Sequence, residues 1–186
     1  MKRVGVLFLF LFLLSGCSHA PEEMERGLAL RSSILQAETC RFSSRITADY
    51  GDKIVEFAMD CCGHENGDLQ FTVTEPESIS QITGTISENG GKLTFDGLAL
   101  CFEKMADEQL SPVSALWIFW QTLRSGYMTS AGMEGDWLRL TIDDSYEDDA
   151  LHLDIWLSDD NMPARAEILH DGSRILSLQI ENFVIS

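Results

Sequence analysis

Ser111-Pro112-Val113-Ser114-Ala115-Leu116-Trp117-Ile118-Phe119-Trp120-Gln121-Thr122-Leu123-Arg124-Ser125-Gly126 decides how the rest of the chain must fold. Ser111 can cap a helix and Pro112 suits its first turn, where no amide hydrogen is required. The helix then runs to Arg124 or Ser125, and Gly126 ends it. Val113, Leu116, Trp117, Trp120 and Leu123 make one face, while Ala115, Ile118 and Phe119 make most of another. A helix that is apolar nearly all round has to be covered on several sides. It is too short to cross a bilayer, which takes roughly 20 apolar residues.

The cover has to come from the flanking sequence, which is mostly strand. Val55, Phe57 and Met59 alternate with Glu56, Ala58 and Asp60, and Leu69, Phe71 and Val73 alternate with Gln70, Thr72 and Thr74. The two-residue period returns over residues 138–142, 151–157 and 176–180. Such alternation marks antiparallel strands with one dry and one wet face. Asn66-Gly67, Asn89-Gly90-Gly91, Asp96-Gly97 and Asp171-Gly172 supply the turns. Upstream, residues 21–38 read as a helix, with Pro21 at its start and Glu22 and Glu23 at the positive end of its dipole. Met24, Leu28 and Leu35 form its apolar stripe, widened by Leu30 and Ile34. The expected fold is therefore α+β: a curved antiparallel sheet wrapped around the buried helix with the N-terminal helix packed nearby. No composition break divides it, and residues 24–186 form a single domain.

At the other end of the chain, Lys2 and Arg3 precede an apolar run over residues 4–14, and Ser15 and Gly16 precede Cys17. This is the tripartite pattern of a secretory signal. Leu14-Ser15-Gly16-Cys17 resembles the lipobox of bacterial lipoproteins. The resemblance implies cleavage after Gly16, removal of residues 1–16 and diacylglycerol attachment to the Cys17 thiol. Residues 17–23 then form a short tether. Ser18 to Glu23, at ~3.5 Å per residue, reaches about 20 Å, so the domain is expected close to the extracytoplasmic face of the cell membrane. The chain carries 13 basic and 30 acidic residues and a net charge of −17. Losing Lys2 and Arg3 makes the mature form more negative still. Such a surface repels phosphate backbones, which argues against nucleic acid as a partner. It is also pushed from an anionic bilayer, which leaves the lipid as the anchor.

The segments around the helix also resemble, in their order, the LolA/LolB fold of lipoprotein-sorting proteins, in the version found in small Gram-positive lipoproteins. The resemblance spans roughly residues 22–185. It is carried by the segment from Ile46 through Tyr50-Gly51 to Phe57, by Phe71-Thr72-Val73-Thr74-Glu75-Pro76 and by Gly90-Gly91-Lys92-Leu93-Thr94-Phe95-Asp96-Gly97. The buried helix and a last hairpin from Met162 past Asp171-Gly172 to Phe183 complete it. It implies an incomplete β-barrel closing over helices and a module that binds lipid or another hydrophobic ligand, in lipoprotein or envelope handling, though not the sorting reaction itself. With no hydrolase motif present, no enzyme is expected. The competing reading is a protein-interaction or sensory lipoprotein whose core is filled by its own helix. The partners implied are the membrane, through the N-terminal lipid, and a hydrophobic ligand or an envelope protein.

Trp117, Phe119 and Trp120 are the candidate walls of a ligand cavity, since apolar pockets are commonly lined by aromatic rings. His64, His152 and His170 come with no nucleophile motif and read as surface or turn residues. No histidine or cysteine spacing suggests a metal, and no cofactor is implied. Asp143-Asp144-Ser145-Tyr146-Glu147-Asp148-Asp149 lacks the glycine and glutamate spacing of a calcium loop and reads as a solvated hairpin connection. Cys40, Cys61, Cys62 and Cys101 remain in the exported domain. A two-residue turn at Tyr50-Gly51 would pair Ile46 with Val55, Phe42 with Met59 and Cys40 with Cys61, making the last pair a candidate disulfide. A longer, bulged loop would bring Cys62 opposite Cys40 instead. Cys62 points to the other face, which Cys101 would share with Glu103 if Leu98, Leu100 and Phe102 face the core.

Overall fold

The computed structural model describes residues 21–49, 54–102, 112–147 and 150–186. Helix α1 (Glu22–Gln36) leads into strands β1 (Thr39–Asp49), β2 (Ile54–His64) and β3 (Leu69–Glu75). A 3-10 turn (Glu77–Ile79) precedes β4 (Thr83–Ser87), β5 (Gly90–Phe95) and β6 (Leu98–Phe102). Helix α2 (Pro112–Ser125) follows, then β7 (Tyr127–Glu134), β8 (Trp137–Asp143), β9 (His152–Leu157), β10 (Pro163–His170) and β11 (Ser173–Ile185).

All these strands join one 11-stranded sheet in the order β6-β5-β4-β3-β2-β1-β11-β10-β9-β8-β7. Each adjacent pair is antiparallel. Two meanders, β1–β6 and β7–β11, meet where β1 pairs with β11. The seam ends in a reciprocal bond: the Thr39 N–H donates to the Ser186 carbonyl at 3.1 Å, and the Ser186 N–H returns to the Thr39 carbonyl at 2.9 Å.

This corrects the expected class. The described residues form a sheet-dominated fold, an open curled sheet with two helices, and not an α+β fold built on an incomplete barrel wrapped around a helix. The reason lies in the strands that alternation does not reveal. β4, β5 and β6 are short, and β7 carries a register shift between Met128 and Ser130 that breaks its period. Counting only the clearly alternating runs therefore underweights the sheet.

Both helices lie on the inner face. α2 packs on β1, β8, β10 and β11, and α1 packs on β7, β8 and α2. The inward rows, Ile46 and Ala48 of β1, Leu138, Leu140 and Ile142 of β8, Leu153 and Ile155 of β9 and Leu176 and Leu178 of β11, are all buried. Each fully buried Leu or Ile contributes about 1.5–3 kcal/mol relative to exposure. The stripe on α1 is rotated from the expected one: Gly27, Leu30 and Ile34 are buried, while Leu28 and Leu35 are exposed. Gly27 is the cause. A Cβ there would lie 2.8 Å from Leu140 Cδ2 and 2.9 Å from Met128 Sδ, so a larger residue would have to push these side-chain tips aside for the helix to sit this close to β7 and β8. No helix among the described residues is long and apolar enough to cross a membrane.

Candidate functional site

The apolar helix α2 is held at its C-terminal end by three sets of donors. The last carbonyls of a helix lack partners within it. Arg31 of α1 supplies them: Nε donates to Leu123 O at 2.9 Å, Nη1 to Gly126 O at 2.8 Å and Nη2 to Thr122 O at 3.3 Å. Trp120 Nε1 donates to Gly67 O at 2.9 Å, and Arg124 donates to His64 O and Glu65 O at 3.1 and 2.8 Å. The β2–β3 turn is thereby tied to the helix. Gly63 makes room for this tie, because a Cβ there would fall 2.3 Å from Trp120 Cζ2.

Of the aromatic side chains expected to line a cavity, Phe119 and Trp120 are fully buried and Trp117 is half-buried. Phe119 meets Phe42 edge-on at 5.7 Å, and Phe42 stacks on Phe183 at 5.4 Å. These rings fill the space between α2 and the centre of the sheet.

The inner face does not end where the helices end. Register pairing places Phe42, Cys61, Phe71, Gly84, Leu93 and Leu100 in one row across β1 to β6. The first three are buried, Leu93 is half-buried and Leu100 is 64% exposed. Beside the last pair, Phe95 opposes Leu98, and they are 50% and 78% exposed. Phe71 leans over Gly84, where a Cβ would meet Phe71 Cζ at 2.3 Å. The core thus runs out along the sheet into an apolar shelf on the β5–β6 hairpin. Leu98 and Leu100 lie on the side of the sheet that carries the core row but stand exposed. Their exposure depends on where the helices sit, which local sequence does not encode.

The outer face is polar, and its organisation was not foreseen. Arg139, Trp156, Arg165, Gln179 and Arg45 form a row across β8, β9, β10, β11 and β1. The Trp156 ring lies 5.5 Å from the Arg139 guanidinium and 4.6 Å from that of Arg165. The buried Asp154 carboxylate accepts from Arg139 and from Thr141 Oγ1, the latter at 2.8 Å. Arg165 and Arg174 both pair with Glu167. The charges of this row are balanced from within. Farther along, an open cleft of about 480 Å³ is lined by residues that include Cys62, Thr72, Thr85 and Lys92.

The remaining candidates are placed as follows. His152 Nδ1 lies 2.6 Å from Asp143 Oδ1, and His170 Nδ1 lies 3.9 Å from Asp171. His64 closes β2 at the turn bound by Arg124. Within the acidic run, Asp144 Oδ1 accepts the Leu151 amide, and residues 148–149 lie outside the described residues. Among the described residues no group of three metal-type ligands comes together.

The pairing of β1 with β2 corrects the cysteine register. Cys40 opposes Gly63, Cys61 opposes Phe42, and Cys62 opposes Arg41. Asp49 pairs with Ile54, so the connection spans residues 50–53 rather than the two-residue turn expected at Tyr50-Gly51, itself outside the described residues. A slip of two preserves the faces, and Cys40 and Cys61 both remain buried on the inner side, as diagonal neighbours. Cys40, Cys61 and Cys62 are free thiols in this structure. Burial pushes the Cys40 thiol up to about 11 and that of Cys61 higher still. Cys17, with residues 1–16, lies outside the described residues, and so does the side chain of Cys101.

The chain is similar to several solved structures. A LolA superfamily protein from Nitrosomonas europaea matches at 7% identity and a TM-score of 0.49, covering 90% of this chain and 94% of that one. A putative outer membrane lipoprotein-sorting protein domain from Vibrio parahaemolyticus matches at 6% identity and a TM-score of 0.46, covering 89% and 92%. The Mycobacterium tuberculosis lipoprotein LppX matches at 12% identity and a TM-score of 0.43, covering 87% and 92%. No protein-family model matches the chain, and no curated protein matches it in sequence.

Proposed function

We propose that this protein is an extracytoplasmic lipoprotein of the small Gram-positive type. Cys17 holds it to the cell membrane, and it carries a lipid or other hydrophobic ligand without reacting on it. The observation that supports this reading is the apolar shelf: Leu93, Phe95, Leu98 and Leu100 continue the core into solvent. Large apolar groups clustered in the open mark binding surfaces in a soluble domain. The ligand lies against this shelf. Of the three α2 aromatics, Trp117 is the one left partly exposed to meet a ligand, while Phe119 and Trp120 are fully buried. Lipoprotein or envelope handling is the role such a tethered binder would serve.

The test uses an environment-sensitive fluorescent fatty acid with the delipidated, folded domain. Binding is expected to saturate and to be displaced by acyl lipids, and the Leu98→Asp, Leu100→Asp double variant is expected to lose it while keeping its melting temperature. A folded wild type with no saturable binding would replace this reading with that of an interaction module whose core is already full.

A further inference from the structure

The sheet has two ends, and they are built differently. β7 is protected: it carries a register shift that breaks a continuous edge, ends on Glu134 and is packed by α1 on its inner face. β6 shows no register shift. Its pairing to β5 runs without interruption from Phe95–Leu98 to Gly91–Phe102, which presents a regular backbone edge. Its sequence, Leu98-Ala99-Leu100-Cys101-Phe102, holds no charge and no proline, and Leu98 and Leu100 are 78% and 64% exposed. Among the described residues no other strand pairs with this edge, and a regular, uncharged apolar edge is what soluble proteins otherwise avoid, because it templates the addition of another strand.

The charge around this edge selects what adds to it. The turns at the two ends of β5 place Asp96 beside the start of β6 and Glu88 near its end, with Lys92 between them opposite Cys101; all three are exposed, and the acids are in excess at the strand's two ends. Five residues of strand separate these ends by about 17 Å. A second copy of the chain would bring the same acids, and a net −17, against themselves. A strand flanked by Lys or Arg meets them favourably.

We propose that β6 is the docking edge for an extended, basic-flanked segment of a partner protein, which adds to the sheet as a further strand beside Leu98 and Leu100. Backbone hydrogen bonds along the edge supply affinity, and alternate apolar side chains of the segment pack toward the shelf. The segment's backbone uses the edge of the hairpin while the apolar ligand uses its face, so the two share only the surroundings of Leu98 and Leu100 and are read out separately.

The experiment uses the full mature lipoprotein in detergent and three synthetic peptides. One is an alternating Val-Thr strand with Lys at both ends. The second has the same sequence with alternate amides N-methylated, and the third carries Glu in place of Lys. The Lys peptide is expected to slow hydrogen exchange across residues 98–102, the N-methylated peptide to have no effect, and the Glu peptide to bind several-fold more weakly. Ala99→Pro, which distorts the edge, should abolish the protection. Absence of protection, protection insensitive to N-methylation, or protection that grows with protein concentration without peptide would each overturn the proposal, the last in favour of self-association. The fluorescent fatty acid is titrated on the same samples. Peptide protection without acyl binding removes only the ligand reading, and acyl binding without peptide protection removes only this one.

Discussion

Arg31 reaches from α1 to the end of α2 and donates its Nε–H to the carbonyl oxygen of Leu123 at 2.9 Å. With the bonds to Gly126 and Thr122, one side chain closes the C-terminus of the buried helix and fixes the two helices to each other. A positive group there also complements the negative end of the helix dipole. Arg31→Met, which keeps the aliphatic stem, should therefore destabilise the fold by about 1.5–3 kcal/mol, the range for hydrogen bonds that involve a charged group. Urea unfolding would measure it. Arg31→Lys should recover only part, because an ammonium cannot reproduce the planar fork. A near-neutral Arg31→Met would mean that water replaces the guanidinium without loss.

Gly63 and Trp120 form a pair in which one is small because the other is large. Gly63→Ala puts a methyl into the indole and should cost about 1–3 kcal/mol, the usual range for overpacking. Trp120→Phe is expected to destabilise on its own by removing the bond to Gly67 O. In the double variant the Gly63→Ala cost should fall, which gives a favourable coupling in a thermodynamic cycle. Additive costs would show that the two residues do not touch.

The Cys40 thiol leads to a pH dependence. Its ordinary value of 9.0 is raised by burial to about 11 in the folded protein. The folded state therefore holds its proton through a window in which the unfolded chain has lost it. That contribution to stability is complete below pH 9 and is lost as pH rises toward 11. Cys40→Ala should flatten the alkaline limb of a stability-against-pH profile. At pH 8, pulsed alkylation with mass spectrometry should label Cys62 well before the buried Cys40 and Cys61.

Cys17→Ala should abolish incorporation of a clickable fatty acid and leave the precursor uncleaved, read as a band of higher mass. Labelling that persisted in this variant would remove Cys17 as the lipid site.

The elements most readily read from sequence are those whose local pattern is self-sufficient. α2 is bounded by Pro112 and Gly126, and β3 alternates Leu69, Phe71 and Val73 toward the core. The register of β1 on β2 was not legible, because alternation determines which face a residue takes and leaves a slip of two open; the length of the connection over residues 50–53 decides it. The stripe of α1 was misread because Gly27 has no hydrophobic side chain to announce it, yet it occupies the closest point of contact. For the site, the shared side of Leu98 and Leu100 was legible from their alternation. Their exposure was not, since it depends on helices distant in sequence. The row of Arg139, Trp156 and Arg165 appears only once strands far apart in the chain are set side by side.

The β1–β11 seam carries a consequence for how the molecule is made. A chain emerging from its N-terminal end can build the β1–β6 meander early, by local hairpins. Yet β1 keeps one raw edge until the 13 residues of β11 arrive. The strand that closes the centre of the sheet is the last to be delivered, and contacts of such wide sequence separation form slowly. Until then both half-sheets present an unpaired inner strand, and the newly made chain is at its most adhesive just before completion. Loss of β11 would not trim the fold at its margin. It would cut it through the middle.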